Sequence, residues 1–421
     1  MATRVFPEKL ADEAMAEVNA GLRYVARQPI MDRRARVHAY ELLFRAGPDA
    51  AFRGDGDMAT RTMLDNTVMF GLERLTGGLP AFVNCTCESL TDDLVQVLPP
   101  GMTVLEILET IEPTAEIVAA CRKMKRSGFR LALDDFVWSP KFQPLVELAD
   151  YIKVDFAQSG AAERKALLHQ LRGGRVALLA EKVETQEEYK QACDEGFTLF
   201  QGYYFCRPVL MENRKVPANR FTQLEILQLM RSETLDLRKV TDLVKQDASL
   251  TYRLLRLVNS PLCSIRQEVN SIHSALMAVG EDTFRRIATL AITSELNGNQ
   301  PLELLRMAFV RGRFSEEAAA QFNLDATEQY LMGLVSLLPA MLRMPMEELT
   351  PAMPLRNEIR QALEGTDNPE RALLTWVERQ ERADWDGCDQ VAEAHGFNQD
   401  ALMKCYADAL VWSEQALRFA S

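Results

Sequence analysis

Histidine is scarce in this chain: His38, His169, His273 and His395 are the only four in 421 residues. The eight cysteines are scattered, only Cys85 and Cys87 lie close together, and no Cys-x-x-Cys pair occurs. Both absences count against a zinc site and against a dithiol redox couple. Cys85 and Cys87, two apart at the end of an apolar run, are expected to point the same way, as reduced thiols packed like small apolar groups. Positive charge is also short. A net charge of −12 argues against broad, non-specific binding to nucleic acid or anionic lipid. No uninterrupted apolar run reaches the ~18 residues of a membrane span, and the opening Met-Ala-Thr-Arg-Val-Phe-Pro-Glu lacks the apolar core of a signal peptide. The expectation is a cytoplasmic protein with no membrane partner and no direct nucleic-acid partner.

What is present is an ordinary globular composition, 47% hydrophobic over a length that accommodates two or three domains. Residues 1–22 read as an N-terminal extension. From there, short β-prone runs alternate with longer helical ones. Strands are expected at Tyr24 to Ile30, Arg36 to Phe44, Ala81 to Cys85, Thr103 to Ile107, Arg130 to Asp134, Tyr151 to Val154, Val176 to Leu179 and Thr198 to Gln201. Helical patterns such as Thr114 to Ser127 and Thr185 to Glu195 run into Gly128 and Gly196, which serve as stops. That alternation predicts a (β/α)8 barrel. The polar turn Met31 to Ala35 is too short for a helical crossover, so the first two strands must be antiparallel.

Barrel enzymes gather their chemistry where the strands end. The run Leu131-Ala132-Leu133 stops at Asp134 and Asp135, which alone could be turn or capping residues. Repetition favours a site. Glu41, Asn84, Glu106, Lys153, Asp155, Glu181, Glu184 and Gln201 stand at or near the ends of the other strands. Carboxylates with an amide oxygen suit hard divalent cations such as Mg²⁺ or Mn²⁺. More acids are present than one octahedral ion needs, so two cations ~3.5 to 4 Å apart are plausible, with Asp134 between them. A lysine among them would hold a phosphate or a polarised water, and the implied reaction is metal-assisted hydrolysis of a phosphate ester.

Residues 23–210 resemble an EAL domain, the family that hydrolyses or senses cyclic di-GMP. The motifs that carry the likeness are Gln28-Pro29-Ile30, Glu41-Leu42-Leu43-Phe44-Arg45, Val83-Asn84-Cys85-Thr86, Leu105-Glu106-Ile107-Leu108-Glu109, Leu133-Asp134-Asp135-Phe136, Ile152-Lys153-Val154-Asp155, Glu181-Lys182-Val183-Glu184 and Gln201-Gly202-Tyr203-Tyr204. The resemblance implies that Glu41, Asn84, Glu106 and Asp134 hold one cation and that Asp134 and Asp135 engage a second. Glu181 is implied as general base or second-cation ligand, and Lys153 as the group that orients the attacking water. Gln28, Arg45, Asp155, Glu184 and Gln201 are implied on the nucleotide side, Arg45 against a phosphate, with Gly202 letting the backbone pass close to the ligand.

One departure comes just after Asp135. Where competent relatives have Asp-Asp-Phe-Gly-Thr-Gly, this chain has Asp134-Asp135-Phe136-Val137-Trp138-Ser139-Pro140, so angles open only to glycine are not freely available. Glu109, the loop-anchoring position, is retained. Two outcomes stand: slow or regulated hydrolysis to linear pGpG, or binding without turnover as a cyclic di-GMP receptor. The alternative function is a catalytically inactive protein-interaction adaptor.

Residues 211–220 read as a linker, and 221–415 as an all-helical bundle. Asp247 to Ser260 and Ile272 to Gly280 resemble the HDOD domain, a helical module related to metal-dependent HD phosphohydrolases. HD chemistry needs converging histidines and an adjacent His-Asp pair, whereas this half holds only His273 and His395, neither followed by Asp. That activity is excluded. His273 is expected to pack or hydrogen-bond, and Gly333 to mark close helix packing. The whole resembles the two-domain EAL–HDOD signalling proteins of the YuxH type. It implies a protein partner through the HDOD domain and a homodimer.

Overall fold

The computed structural model describes residues 25–44, 72–171, 175–202, 204, 248–259, 269–298, 300–322, 324–353 and 355–420, with isolated positions between 223 and 265. Arg45, the extension at 1–22 and the linker at 211–220 lie outside the described residues.

Eight strands close into a barrel in chain order: β1 (Val25–Asp32), β2 (Val37–Phe44), β3 (Ala81–Cys85), β4 (Thr103–Ile107), β5 (Arg130–Leu133), β6 (Tyr151–Asp155), β7 (Ala177–Glu181) and β8 (Leu199–Gln201). Every expected strand is present. β1 runs antiparallel to both β2 and β8, and the other neighbours are parallel. The reversal stems from the turn after Asp32, whose carboxylate accepts hydrogen bonds from Arg34 N at 2.7 Å and Arg36 N at 3.0 Å while Ala35 takes φ 55°. An aspartate that satisfies its own turn leaves no length for a helical crossover.

Each strand contributes one residue to a buried layer inside the barrel: Ile30, Ala39, Phe82, Val104, Ala132, Tyr151, Leu179 and Leu199. Side chains alternate along a strand, so the residue two further on also faces the interior. That simple rule places the candidate site. The flanking helices begin as their sequences dictate. Thr114 accepts from Ile117 N at the start of Ala115–Arg126, and Thr185 and Glu188 form a reciprocal capping box at the start of Gln186–Glu195, which stops at Gly196 with φ 104°. β3 ends at Cys85, and a helix, Cys87–Thr91, begins two residues later. Cys85 is therefore buried and Cys87 exposed, rather than the two pointing one way.

The chain forms two compact units, one of Met1–Tyr204, Arg379–Ala392 and Asn398–Ala407, the other of Phe205–Glu378, Glu393–Phe397 and Asp408–Ser421. The barrel unit thus includes two stretches from the far end of the chain. Within it, buried Gln380 donates to the carbonyl of Val25 at the start of β1, 3.0 Å away.

The second unit is helical throughout its described elements. Leu302–Ala319 and Ala326–Val335 pack closely because Gly333 lies against the Arg311–Gly312 backbone and Gly312 lies against Leu334 and the Tyr330 carbonyl. A Cβ on Gly333 would lie 2.4 Å from Arg311 O and 2.7 Å from Gly312 N. The expectation for Gly333 holds. Arg311, 1% exposed, is fixed there by Ser336 Oγ at 3.0 Å and Glu378 at 3.3 Å. His273 and His395 are both exposed, His395 against the Phe397 ring at 5.4 Å, so His273 is not the packing residue anticipated. The helix Ile272–Val279 has Ser271 as its cap and directs His273 outward. Among the described residues, no helix is long and apolar enough to cross a membrane.

Candidate active site at the barrel mouth

Two residues beyond the apolar layer stand Glu41, Asn84, Glu106, Asp134, Lys153, Glu181 and Gln201, one from each of β2 to β8 or the residue just after it. β1 runs the other way, and its contribution, Gln28, accordingly lies two residues before Ile30. The eight side chains form one ring. Its centre is Lys153, 1% exposed, whose Nζ lies 2.6 Å from Glu106, 2.8 Å from Asp134, 2.9 Å from Glu181 and 3.4 Å from Glu41. Burial alone would depress the lysine, but the surrounding Glu106, Glu41, Glu181 and Asp134 charges outweigh it and hold it protonated. One ammonium cannot neutralise four carboxylates. Gln201 closes the ring by donating to Gln28 Oε1 at 2.9 Å and to Glu41 Oε2 at 2.5 Å.

Several buried acceptors in this ring and beside it have no hydrogen-bond partner among the described residues: Asn84 Oδ1, Glu106 Oε2, Asp135 Oδ1 and Gln201 Oε1. Glu106 Oε1 is paired with the Lys153 ammonium at 2.6 Å. Its carboxyl is pushed well up by burial and by Glu41 beside it, with Lys153 opposing. Buried oxygens without donors, among more carboxyls than cations, constitute a donor set for a hard cation. Asp134, Asp135 and Glu181 also present ligand oxygens within 4.8 Å of one another.

Asp155, also on β6, is buried but occupied. Its Oδ1 accepts from Ala157 N and Gln158 N, both at 2.9 Å, and its Oδ2 pairs with Lys182 at 2.5 Å. Glu184 is exposed beyond β7, its N–H bound to Glu188, and Glu109 is exposed beyond β4. Gly202, with φ 145°, presses on a backbone rather than on open space: a Cβ there would be 2.3 Å from Val183 O. The loop after Asp135 avoids the glycine angles altogether. Phe136 is buried and donates its N–H to Lys153 O at 3.0 Å, its ring meets Trp138 and Phe142, and a 3-10 turn starts at Pro140. The one left-handed residue there is Asp135 itself, φ 40°. Lys182, φ 55°, pairs with Asp155 at the edge of this cluster, and sequence reading gave it no part there.

Burial, reinforced by Asp134 and Glu41 and opposed by Lys153, lifts the Glu181 carboxyl from 4.5 to about 8. A carboxyl raised in the folded state takes up a proton on folding. Its stabilising contribution is therefore complete below its unfolded pKa and is lost as pH rises through about 8. Metal-free protein should lose thermal stability between about pH 5 and 8, and Glu181→Gln should flatten part of that slope. Melting curves across this range in chelator check it.

Comparison with known families and proteins fits this geometry. The EAL domain model matches residues 80–208 and the HDOD domain model residues 216–354. An uncharacterized protein, YuxH of Bacillus subtilis, is 32% identical over 400 residues, spanning 92% of this chain and 97% of that protein. Cyclic di-GMP phosphodiesterase CdgJ of Vibrio cholerae is 33% identical over 402 residues, spanning 94% of this chain and 93% of that one. Among solved structures, Klebsiella pneumoniae BlrP1, in complex with calcium and cyclic di-GMP, is similar at 24% identity and TM-score 0.37, over 44% of this chain and 55% of that one. The two domain models follow one another along the chain, and both relatives are matched over more than nine tenths of their length. This chain belongs to the two-domain EAL–HDOD family.

Proposed function

We propose that the barrel mouth binds cyclic di-GMP with divalent cations, Mg²⁺ or Mn²⁺, and hydrolyses it to linear pGpG, and that the helical unit passes the result to a protein partner. The observation that supports this most is the oxygen ring around Lys153, with its unpartnered acceptors and surplus of carboxylates. The named activity of the relative CdgJ points the same way. Glu41, Asn84, Glu106 and Asp134 would hold one cation, and Asp134, Asp135 and Glu181 a second. Bound cations of this kind stabilise charge on the phosphoryl oxygens and lower the pKa of a bound water.

The rest belongs to the protein. Lys153 would orient the attacking water, and Glu181, 2.9 Å from Lys153, serves either as the base that accepts the water proton or as a ligand of the second cation. One P–O ester bond breaks, the water oxygen ends on phosphorus, and the leaving hydroxyl takes up a proton. Gln28 and Gln201 form the wall beside Glu41, with Glu184 at the rim. Arg45, one residue beyond β2, is assigned to a ligand phosphate from its motif. The homodimer and the cytoplasmic location complete this reading.

Calorimetry with cyclic di-GMP and Mg²⁺ or Mn²⁺, and then chromatography of an overnight reaction, test it. Expected are binding and a pGpG peak absent from Glu41→Gln. No binding at ~100 μM, an affinity weaker than ~5.5 kcal/mol, would reject a nucleotide role. Binding with no product would make the protein a receptor.

A further inference from the structure

Lys182 combines three features that no role in the ring explains. Its backbone is left-handed, φ 55°, a conformation that costs a side-chain-bearing residue on the order of 1–2 kcal/mol. That conformation is pinned from behind, because Val183 N donates to Gln201 O and Val183 O accepts from Tyr204 N, both at 3.0 Å, with Gly202 pressed against it. Its ammonium, on a side chain 54% exposed, is carried to 2.5 Å from Asp155 Oδ2 and 4.0 Å from Asp135 Oδ2. Asp155 in turn is anchored by the two backbone N–H groups of Ala157 and Gln158. A fixed carboxylate thus holds a positive charge beside Asp135, which belongs to the outer group Asp134, Asp135 and Glu181.

We propose that Lys182 is a tethered, displaceable counter-charge for the outer carboxylates, so that the mouth takes up divalent cations in two unequal steps. This rests on the metal-dependent reading above. The inner set, Glu41, Asn84, Glu106 and Asp134, fills without disturbing Lys182. The outer set fills only against the repulsion of an ammonium about 4 Å from one of its oxygens. Because the side chain is half exposed, it can swing into solvent when the second cation enters. The pinned backbone returns it afterwards. Lys182 is a positioning residue: it touches the ligands, and its effect is on how many cations are held at a given concentration.

The test is a Mn²⁺ titration of the full chain, counting free Mn²⁺ by its EPR signal and heats by calorimetry. The native protein should show two steps, with the second weaker by about tenfold or more. Lys182→Met, which removes the charge and keeps the length, should tighten the second step about tenfold and leave the first unchanged. Lys182→Gly, which also relieves the backbone, should match Lys182→Met in binding while melting higher. Asp155→Asn, which frees the ammonium, should fall between native and Lys182→Met. Identical second steps in native, Met and Gly proteins would overturn the role of Lys182 while leaving the metal site standing. No Mn²⁺ uptake by the native protein would overturn the metal reading, and this inference with it.

Discussion

On the proposed hydrolysis, Lys153→Met should lower pGpG formation by at least ~10³-fold, and in any case should destabilise the metal-free protein by ~3–5 kcal/mol. Both effects have one origin. The lysine is the only cation within 3.4 Å of Glu41, Glu106, Asp134 and Glu181 among the described residues, and three of those four side chains are less than 10% exposed. Removing it leaves carboxylates buried without a counter-charge, the costly half of any buried pair. The loss of stability should depend strongly on conditions. Saturating Mn²⁺ should restore much of the melting temperature, because a divalent ion neutralises the same oxygens, whereas turnover should stay lost because nothing then orients the water. Melts with and without Mn²⁺, run beside the product assay, separate the two. Activity close to native in Lys153→Met would remove the lysine from the mechanism.

Gly333→Leu should destabilise the helical unit by ~3 kcal/mol or more, at or above the upper end of ordinary overpacking. At this position the neighbours are backbone, not flexible side chains: Arg311 O at 2.4 Å, Arg311 C at 2.6 Å and Gly312 N at 2.7 Å from where a Cβ would stand. Any side chain must part the two helices. Parting them also pulls Arg311, fully buried, away from Ser336 and Glu378, weakening the pairing of a buried charge. Gly333→Ala should show the same effect in smaller measure. Denaturant unfolding of both variants is the measurement, and a Leu variant within ~1 kcal/mol of native would show that the helices separate at little cost.

The barrel was legible because its strands are short, apolar and bounded by turn residues, and because the polar residues ending them repeat. The ring was legible for a second reason: each member stands two residues from an apolar neighbour, Ala39 before Glu41, Phe82 before Asn84, Val104 before Glu106, Tyr151 before Lys153. Other features leave no such trace. Asp155 reads like a ring member, yet it caps the turn after β6 and holds Lys182, which depends on backbone direction rather than residue type. Lys182 looks like an ordinary surface lysine until its φ is known. Cys87 shares its spacing with a strand but opens a helix, since Thr86 caps that helix by accepting from Ser89 N. The replaced glycines after Asp135 leave both slow turnover and binding without turnover open in the sequence, and the residue types alone do not give the loop's path. In the structure the loop takes a 3-10 path packed on Phe136, with Asp134 against Lys153.

Helical periodicity identifies a helix but not the core against which it packs, and the residues near 380 belong to a core far from them in the chain. Gln380 satisfies the carbonyl of Val25 from 355 positions downstream. A gene fragment ending just after β8, the natural place to cut by motif, would leave that first strand's leading oxygen without its amide and uncover the surface that 379–392 and 398–407 occupy. Inactivity in such a truncated barrel would report on the missing tail before it reported on the chemistry.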